Sequence, residues 1–181
     1  MSRTPLRLAT ALVVMTMGSF SLADSTELAE VQQWIVEHHP GVNHIDSVDL
    51  ARQLGSEEYM VFDVREKDEF SVSHLENAVQ VDPDVSRSEF FTLFGENLEN
   101  KTVVFYCSVG RRSSLLAEKL EADLQSHGAR DIFNLRYGIF GWHNQDMPLV
   151  SNTGSTRYVH PYNQRWGRML DRKQLIRYTS E

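Results

Sequence analysis

Two apolar runs, "YMVFDV" (residues 59–64) and "KTVVFYC" (residues 101–107), limit the fold more than anything else in the chain. Runs this short, rich in β-branched and aromatic residues and without polar alternation, suit strands covered on both faces. The stretches around them repeat at helical period. "SSLLAEKLEADLQSHG" (113–128) places Leu115, Leu116, Leu120 and Leu124 on one face and ends at Gly128. "SRSEFFTLFG" (86–95) spaces Phe90, Phe91, Leu93 and Phe94 like a helix, and "EKDEFSVSH" (66–74) has room for one helical turn. "NAVQV" (77–81) and "DIFNL" (131–135) read as further strands. Upstream, "ELAEVQQWIVEHH" (27–39) puts Leu28, Val31, Ile35 and either Trp34 or Val36 on one stripe. "DSVDLARQLG" (46–55) predicts a second helix, capped by Asp46 or Ser47 and stopped at Gly55. Strands alternating with helices specify an α/β domain with a mostly parallel central sheet flanked by helices. Ligands of such sheets gather at the carboxyl ends of the strands, where Asp63 and Cys107 both fall.

Cys107 is the only cysteine in the chain. It has no internal partner for a disulfide and cannot build a Cys-rich zinc or iron–sulfur site. A structural cysteine would sit inside the apolar run, whereas this one sits just past its end, where side chains emerge. The next five residues, Ser108, Val109, Gly110, Arg111 and Arg112, must turn sharply if a helix starts near Ser113. Gly110 permits backbone angles that a side chain forbids. Such a turn aims several N–H groups at one spot, capped by a helix N-terminus. A thiolate held there gains hydrogen bonds, helix-dipole and guanidinium stabilisation, and thiolate is the nucleophilic form of sulfur.

The amino terminus needs a separate account. "MSRTPLRLATALVVMTMGSFSLADS" carries Arg3 and Arg7, then an apolar run from Leu8 to Phe20, then Ser21-Leu22-Ala23. That is the layout of a secretory signal peptide over residues 1–23, cleaved after Ala23 and directing export to a periplasm or beyond. The alternative, an uncleaved membrane anchor, wants a longer span of about 20 apolar residues. Residues 24–41 then form a helical extension, residues 42–150 the main domain, and residues 151–181 a basic C-terminal extension. The whole chain carries a formal net charge of −7. Residues 24–150 hold 10 Lys and Arg against 23 Asp and Glu, whereas residues 151–181 hold 6 against 2. An acidic body excludes nucleic acid as the main partner, because phosphate binding needs clustered cations. The basic extension suits either folding back onto the body or meeting an anionic protein partner.

The motifs around the loop resemble those of rhodanese-type sulfurtransferases over about residues 42–150. "CSVGRRS" is similar to the family's active-site loop, roughly Cys-x-x-Gly-x-Arg/Thr-Ser. "VFDVREKDEF" resembles its Asp-Val-Arg segment followed by Glu-Phe, "SHLENAVQV" its Gly-His-Ile-x-Gly-Ala segment, and "YGIFGWHNQDMPLV" its closing Gly-Gly-x-x-x-Trp…Pro-Val segment. The resemblance implies a thiolate at Cys107 that takes the outer sulfur of a donor such as thiosulfate and holds it as a persulfide. Cyanide or a thiol would then accept that sulfur. The loop from Ser108 to Ser113 would bind the sulfur anion, and Arg111 and Arg112 would attract the anionic donor. Asp63 and Arg65 would brace the loop from the neighbouring strand, and no metal or organic cofactor is implied. The chain departs from the pattern at Ser73, Asn77 and Tyr137, where the family carries glycine, and at Glu76. The alternative is a non-catalytic module that binds sulfide or a protein partner.

A cysteine phosphatase wants five residues between thiolate and arginine, whereas here four separate Cys107 from Arg112 and Ser113 stands at the arginine position. A loop one residue shorter suits a single sulfur better than a tetrahedral phosphate. His38, His39 and His44 flank a Pro-Gly break that gives no metal-ligand register, so they read as surface histidines.

Overall fold

The structure is a computed structural model that describes residues 22–180; the signal segment expected at the amino terminus lies, up to residue 21, outside the described residues. β1 (Asn43–Ile45), β2 (Tyr59–Asp63), β3 (Val79–Gln80), β4 (Thr102–Tyr106) and β5 (Asp131–Leu135) form one sheet. Its order is β1-β5-β4-β2-β3, with every neighbouring pair parallel. This is the architecture that the alternating pattern specifies. β2 and β4 lie side by side with Asp63 opposite Tyr106, so the chemical groups at their ends become neighbours.

The strand side chains alternate between two cores. On one face Val103 and Phe105 of β4 join Phe62 of β2, Phe90 of α4 (Arg87–Phe94), and Leu116, Leu120 and Leu124 of α5 (Arg111–Ser126). On the other, Val61, Val104 and Tyr106 meet Leu28 of α1 (Leu22–His38), Leu50 of α2 (Ser47–Ala51), and Ile139 and Trp142 of α6 (Gly138–Asn144). Val159, Met169 and Leu170 of the C-terminal extension belong to this second core, so the extension is folded onto the body. Between β2 and β3 runs α3 (Lys67–Val72), and a hairpin of β6 (Leu149–Ser151) and β7 (Gly154–Thr156) closes the domain. Among the described residues no helix is long and apolar enough to cross a membrane.

Several expectations are corrected. β1 was not foreseen; "NHI" has no strand signature and is recruited by pairing with β5. α5 begins at Arg111, two residues before the expected start, because Gly110 itself serves as N-cap. Leu115 is 56% exposed, so the helix buries Leu116, Ala117, Leu120 and Leu124 instead. α2 ends at Ala51, short of Gly55. On α1 neither Trp34 nor Val36 is buried; Gln32 is, because its amide has work to do there. Gln32 Nε2 meets His44 Nδ1 at 3.4 Å, and its Oε1 accepts the Tyr137 N–H at 3.2 Å. His39 is likewise no surface group: it is buried, with Nδ1 2.7 Å from Glu118 Oε2.

Candidate active site

Cys107 leaves the carboxyl end of β4 and its loop is held from beneath by α6. Ile139 N donates to Cys107 O at 2.9 Å and Phe140 N to Ser108 O at 3.0 Å. This close approach is possible because residue 138 is glycine at φ +56°; a Cβ there would lie 2.3 Å from Cys107 O. With its carbonyls engaged underneath, the loop turns the Gly110 amide toward the sulfur. Gly110, in the left-handed region at φ +96°, donates its N–H to Cys107 Sγ at 3.2 Å. The sulfur therefore sits at the amino end of α5, where N–H groups and the helix dipole favour negative charge.

β5 locks the first turn of α5. Ser113 Oγ donates to Asn134 Oδ1 at 2.7 Å, while Asn134 Nδ2 donates to Ser114 Oγ at 2.8 Å and to Gly110 O at 3.2 Å. Ser113 is thus turned toward the sheet, and its hydroxyl holds Asn134. Val109 is buried in the core formed with α1 and α6.

The charged side chains divide their duties. Arg111 stacks on Trp34, its guanidinium carbon 4.2 Å from the ring centroid. Arg112 forks onto Glu69 with Nη1 to Oε2 at 2.9 Å and Nη2 to Oε1 at 3.0 Å, and also reaches Ser108 Oγ at 3.1 Å. Ser108 Oγ donates to Glu69 Oε1 at 2.9 Å. Burial opposes the charge on Glu69, but the hydrogen bonds and charge of Arg112, with Arg65 and Ser108 behind them, hold its carboxyl below the usual range. Burial likewise opposes the Arg112 cation, and the hydrogen bonds and charge of Glu69 do most to restore it, raising its pKa. Asp63 and Arg65 form a fully buried pair, Nε to Oδ1 at 2.8 Å and Nη2 to Oδ2 at 2.6 Å. Arg65 Nη2 also reaches Ser73 O at 2.6 Å. This pair thus fixes the Ser73 segment, while the hydrogen bonds that reach the cysteine loop from the β2 side come from Glu69.

The departures from glycine have different local outcomes. Ser73 is extended at φ −168°, which any residue adopts. Asn77 at φ +60° and Tyr137 at φ +65° occupy the left-handed region; asparagine tolerates it, and tyrosine does so at a cost of about 1 kcal/mol or more.

Sequence reasoning gave no role to five residues that the structure brings to this region: Glu69, Asn134, Gly138, His160 and Tyr162. The Glu66-x-x-Glu69 spacing was a visible signal, because the two form a reciprocal capping box at the start of α3. His160 and Tyr162 come from the extension. His160 is buried within electrostatic reach of Glu69, Arg65, Asp68 and Arg112; burial, then the two arginines, lowers its pKa against the opposing carboxylates. Cys107 itself is only 1% exposed, more enclosed than a side chain emerging at a sheet edge.

The chain is similar to known proteins in sequence and in fold. The chain is 29% identical over 114 residues to a sulfurtransferase from Allochromatium vinosum, a match covering 62% of this chain and 99% of that protein. It is 31% identical over 101 residues to a tRNA uridine(34) hydroxylase from Leptospira interrogans, covering 55% of this chain but 26% of the relative. The fold is similar to that of the thiosulfate sulfurtransferase from Pseudomonas aeruginosa, with a TM-score of 0.55 at 18% identity over 81% of this chain and 26% of the other. A family model for the rhodanese-like domain matches residues 46–145, more than half of the chain and all of the loop just described. On that match, and with relatives in sulfur transfer, the chain belongs to the rhodanese-like domain family.

Proposed function

We propose that the protein transfers sulfane sulfur through a persulfide on Cys107. The thiolate attacks the outer sulfur of a donor such as thiosulfate; the new sulfur–sulfur bond forms as the old one breaks, and sulfite leaves with the electron pair. An acceptor thiolate or cyanide then attacks the terminal sulfur and returns Cys107 to the thiolate. The observation that carries this reading is the Gly110 N–H aimed at Cys107 Sγ from the amino end of a 16-residue helix. An anion lengthened by one sulfur stays within reach of that positive helix end. The acidic body favours a small anionic donor and a thiol or cyanide acceptor over nucleic acid. We further propose export, on the charged and apolar layout of residues 1–23, with N-terminal sequencing of the secreted protein as its check.

One observation favours a second reading, a non-catalytic module that binds sulfide or a partner protein: the near-complete enclosure of Cys107. The two part on turnover. Thiosulfate-to-cyanide transfer that disappears in Cys107→Ser supports the enzyme; no Cys107-dependent turnover with any sulfane donor supports the binding module.

A further inference from the structure

The C-terminal extension reaches the cysteine loop through one side chain. The Tyr162 ring lies over the Arg112 guanidinium, 4.8 Å from centroid to carbon, on the opposite account from Glu69, which takes that group's N–H edge. Tyr162 has φ +63°, a strained conformation for a bulky residue. Such strain persists only where the surroundings over-determine it. Here they do. His160 Nδ1 accepts the Tyr162 N–H at 3.1 Å, so a neutral His160 ring carries its proton on Nε2. Asn163 N donates to Pro161 O at 2.8 Å, and Gly167 N to Asn163 O at 2.9 Å. Pro161 is seated so closely on residue 167 that a Cβ there would lie 2.9 Å from it. Val159, fully buried, ties the turn to the core and to the chain beyond it, donating to Leu175 O at 3.1 Å and accepting from Arg177 N at 3.1 Å. A turn built this rigidly presents its aromatic ring to the cation that also bonds Ser108 of the cysteine loop.

We infer that Tyr162 is a specificity-determining residue: it pins Arg112 against the cysteine loop and narrows the approach, so that small anions are admitted and bulky thiols are disfavoured. This rests on the persulfide reading of Cys107. A ring over a guanidinium face holds it in place, here with Tyr162 46% exposed. Arg112 held between Glu69 and Tyr162 stays where an incoming anion meets it. Without the ring, Arg112 is held by Glu69 and Ser108 alone, and the space that the ring filled opens beside it.

The test compares the full chain with Tyr162→Phe, Tyr162→Leu and Tyr162→Gly. The Leu and Gly variants should raise the KM for thiosulfate about fivefold, the size of a stacked cation–π contact. The rate with a bulky tripeptide thiol should rise relative to cyanide. Phe, which restores a π face on Arg112, should restore the wild-type KM and acceptor ratio. Gly also relieves the positive φ, so a variant that melts no lower than wild type and still loses selectivity separates the ring's role from folding. Cys107 is the only thiol, so alkylation reports on it alone. A bulky maleimide should gain more than iodoacetamide in the Leu and Gly variants. Unchanged KM, acceptor ratio and alkylation ratio in both variants would overturn the inference. If wild type forms no persulfide, the earlier reading fails instead, and the alkylation ratio still decides whether Tyr162 narrows the approach.

Discussion

The cysteine loop and the C-terminal extension are held in place by different means. The loop is fixed mainly by its backbone: its carbonyls are tied to α6, its amide faces the sulfur, and Asn134 pins the helix that follows. Among its described residues the extension has little regular structure, the end of β6, β7 and two short 3₁₀ turns, and is fixed to the body largely by side chains: Val159, Met169 and Leu170 in the core, and contacts to α6. His143 Nε2 meets Arg157 O at 3.1 Å, Asn144 Nδ2 donates to Met169 O at 2.8 Å, and Arg172 reaches His143 O and Asp146. A backbone-built site resists side-chain variation and fails abruptly where the backbone cannot close. A side-chain-built strap weakens by degrees.

That contrast can be broken at its strongest point first. Gly138→Ala places a Cβ against Cys107 O at a position with φ +56°. It should cost about 3 kcal/mol or more, read as a large drop in the urea midpoint, because two separate faults coincide. Leu170→Ala removes a fully buried anchor of the extension and should cost about 2–4 kcal/mol in the same measurement. If Leu170→Ala proved harmless, the extension would be an ornament on the body and the comparison would fail.

Glu69→Gln sharpens the difference inside the site. It leaves Arg112 without its carboxylate and should cost about 2 kcal/mol, with the thiosulfate KM shifted as Arg112 is freed. Glu69 has a depressed carboxyl pKa in the folded state, so its share of stability is present above the unfolded carboxylate range and is lost as pH falls through the lower folded value. Gln should remove that acid-side dependence.

An effect of similar size, spread over a pH range, concerns the strap's contact with α6. His143 is pushed down to about 4 from 6.5, first by burial and then by the charge of Arg172. The folded ring therefore resists a proton that the unfolded chain accepts. Stability from this group is complete above pH 6.5 and falls away as pH drops toward about 4. The loss should be on the order of 2 kcal/mol, allowing for solvent screening. His143→Asn should flatten this part of the pH–stability curve, and an unaltered curve would detach His143 from the strap's energetics.

Most of the body was legible because its signals are local. "YMVFDV" and "KTVVFYC" announce buried strands by composition alone, and both emerge as neighbouring strands with their chemical ends together. Cys107 and Gly110 were legible for the same reason: a lone thiol and a glycine at one turn carry their meaning within a few residues. What escaped depends on tertiary neighbours. β1 is a strand only because β5 is beside it. Glu69 matters only because α3 delivers it to Arg112, 43 residues away in sequence. The burial of Gln32 and His39 answers partners on β1 and α5, among others. Tyr162 has no motif at all, and its left-handed backbone is set by a turn whose logic is visible only when folded.

The central claim is that Cys107 carries a second sulfur atom held by the amides of its loop. Its most direct test is intact and peptide mass spectrometry of the full chain after exposure to thiosulfate and removal of excess donor. We predict the added mass of one sulfur, confined to the Cys107 peptide, absent from Cys107→Ser, and discharged by cyanide with formation of thiocyanate. A Cys107 peptide that keeps its unmodified mass under these conditions, in a protein shown to be folded, would contradict the account.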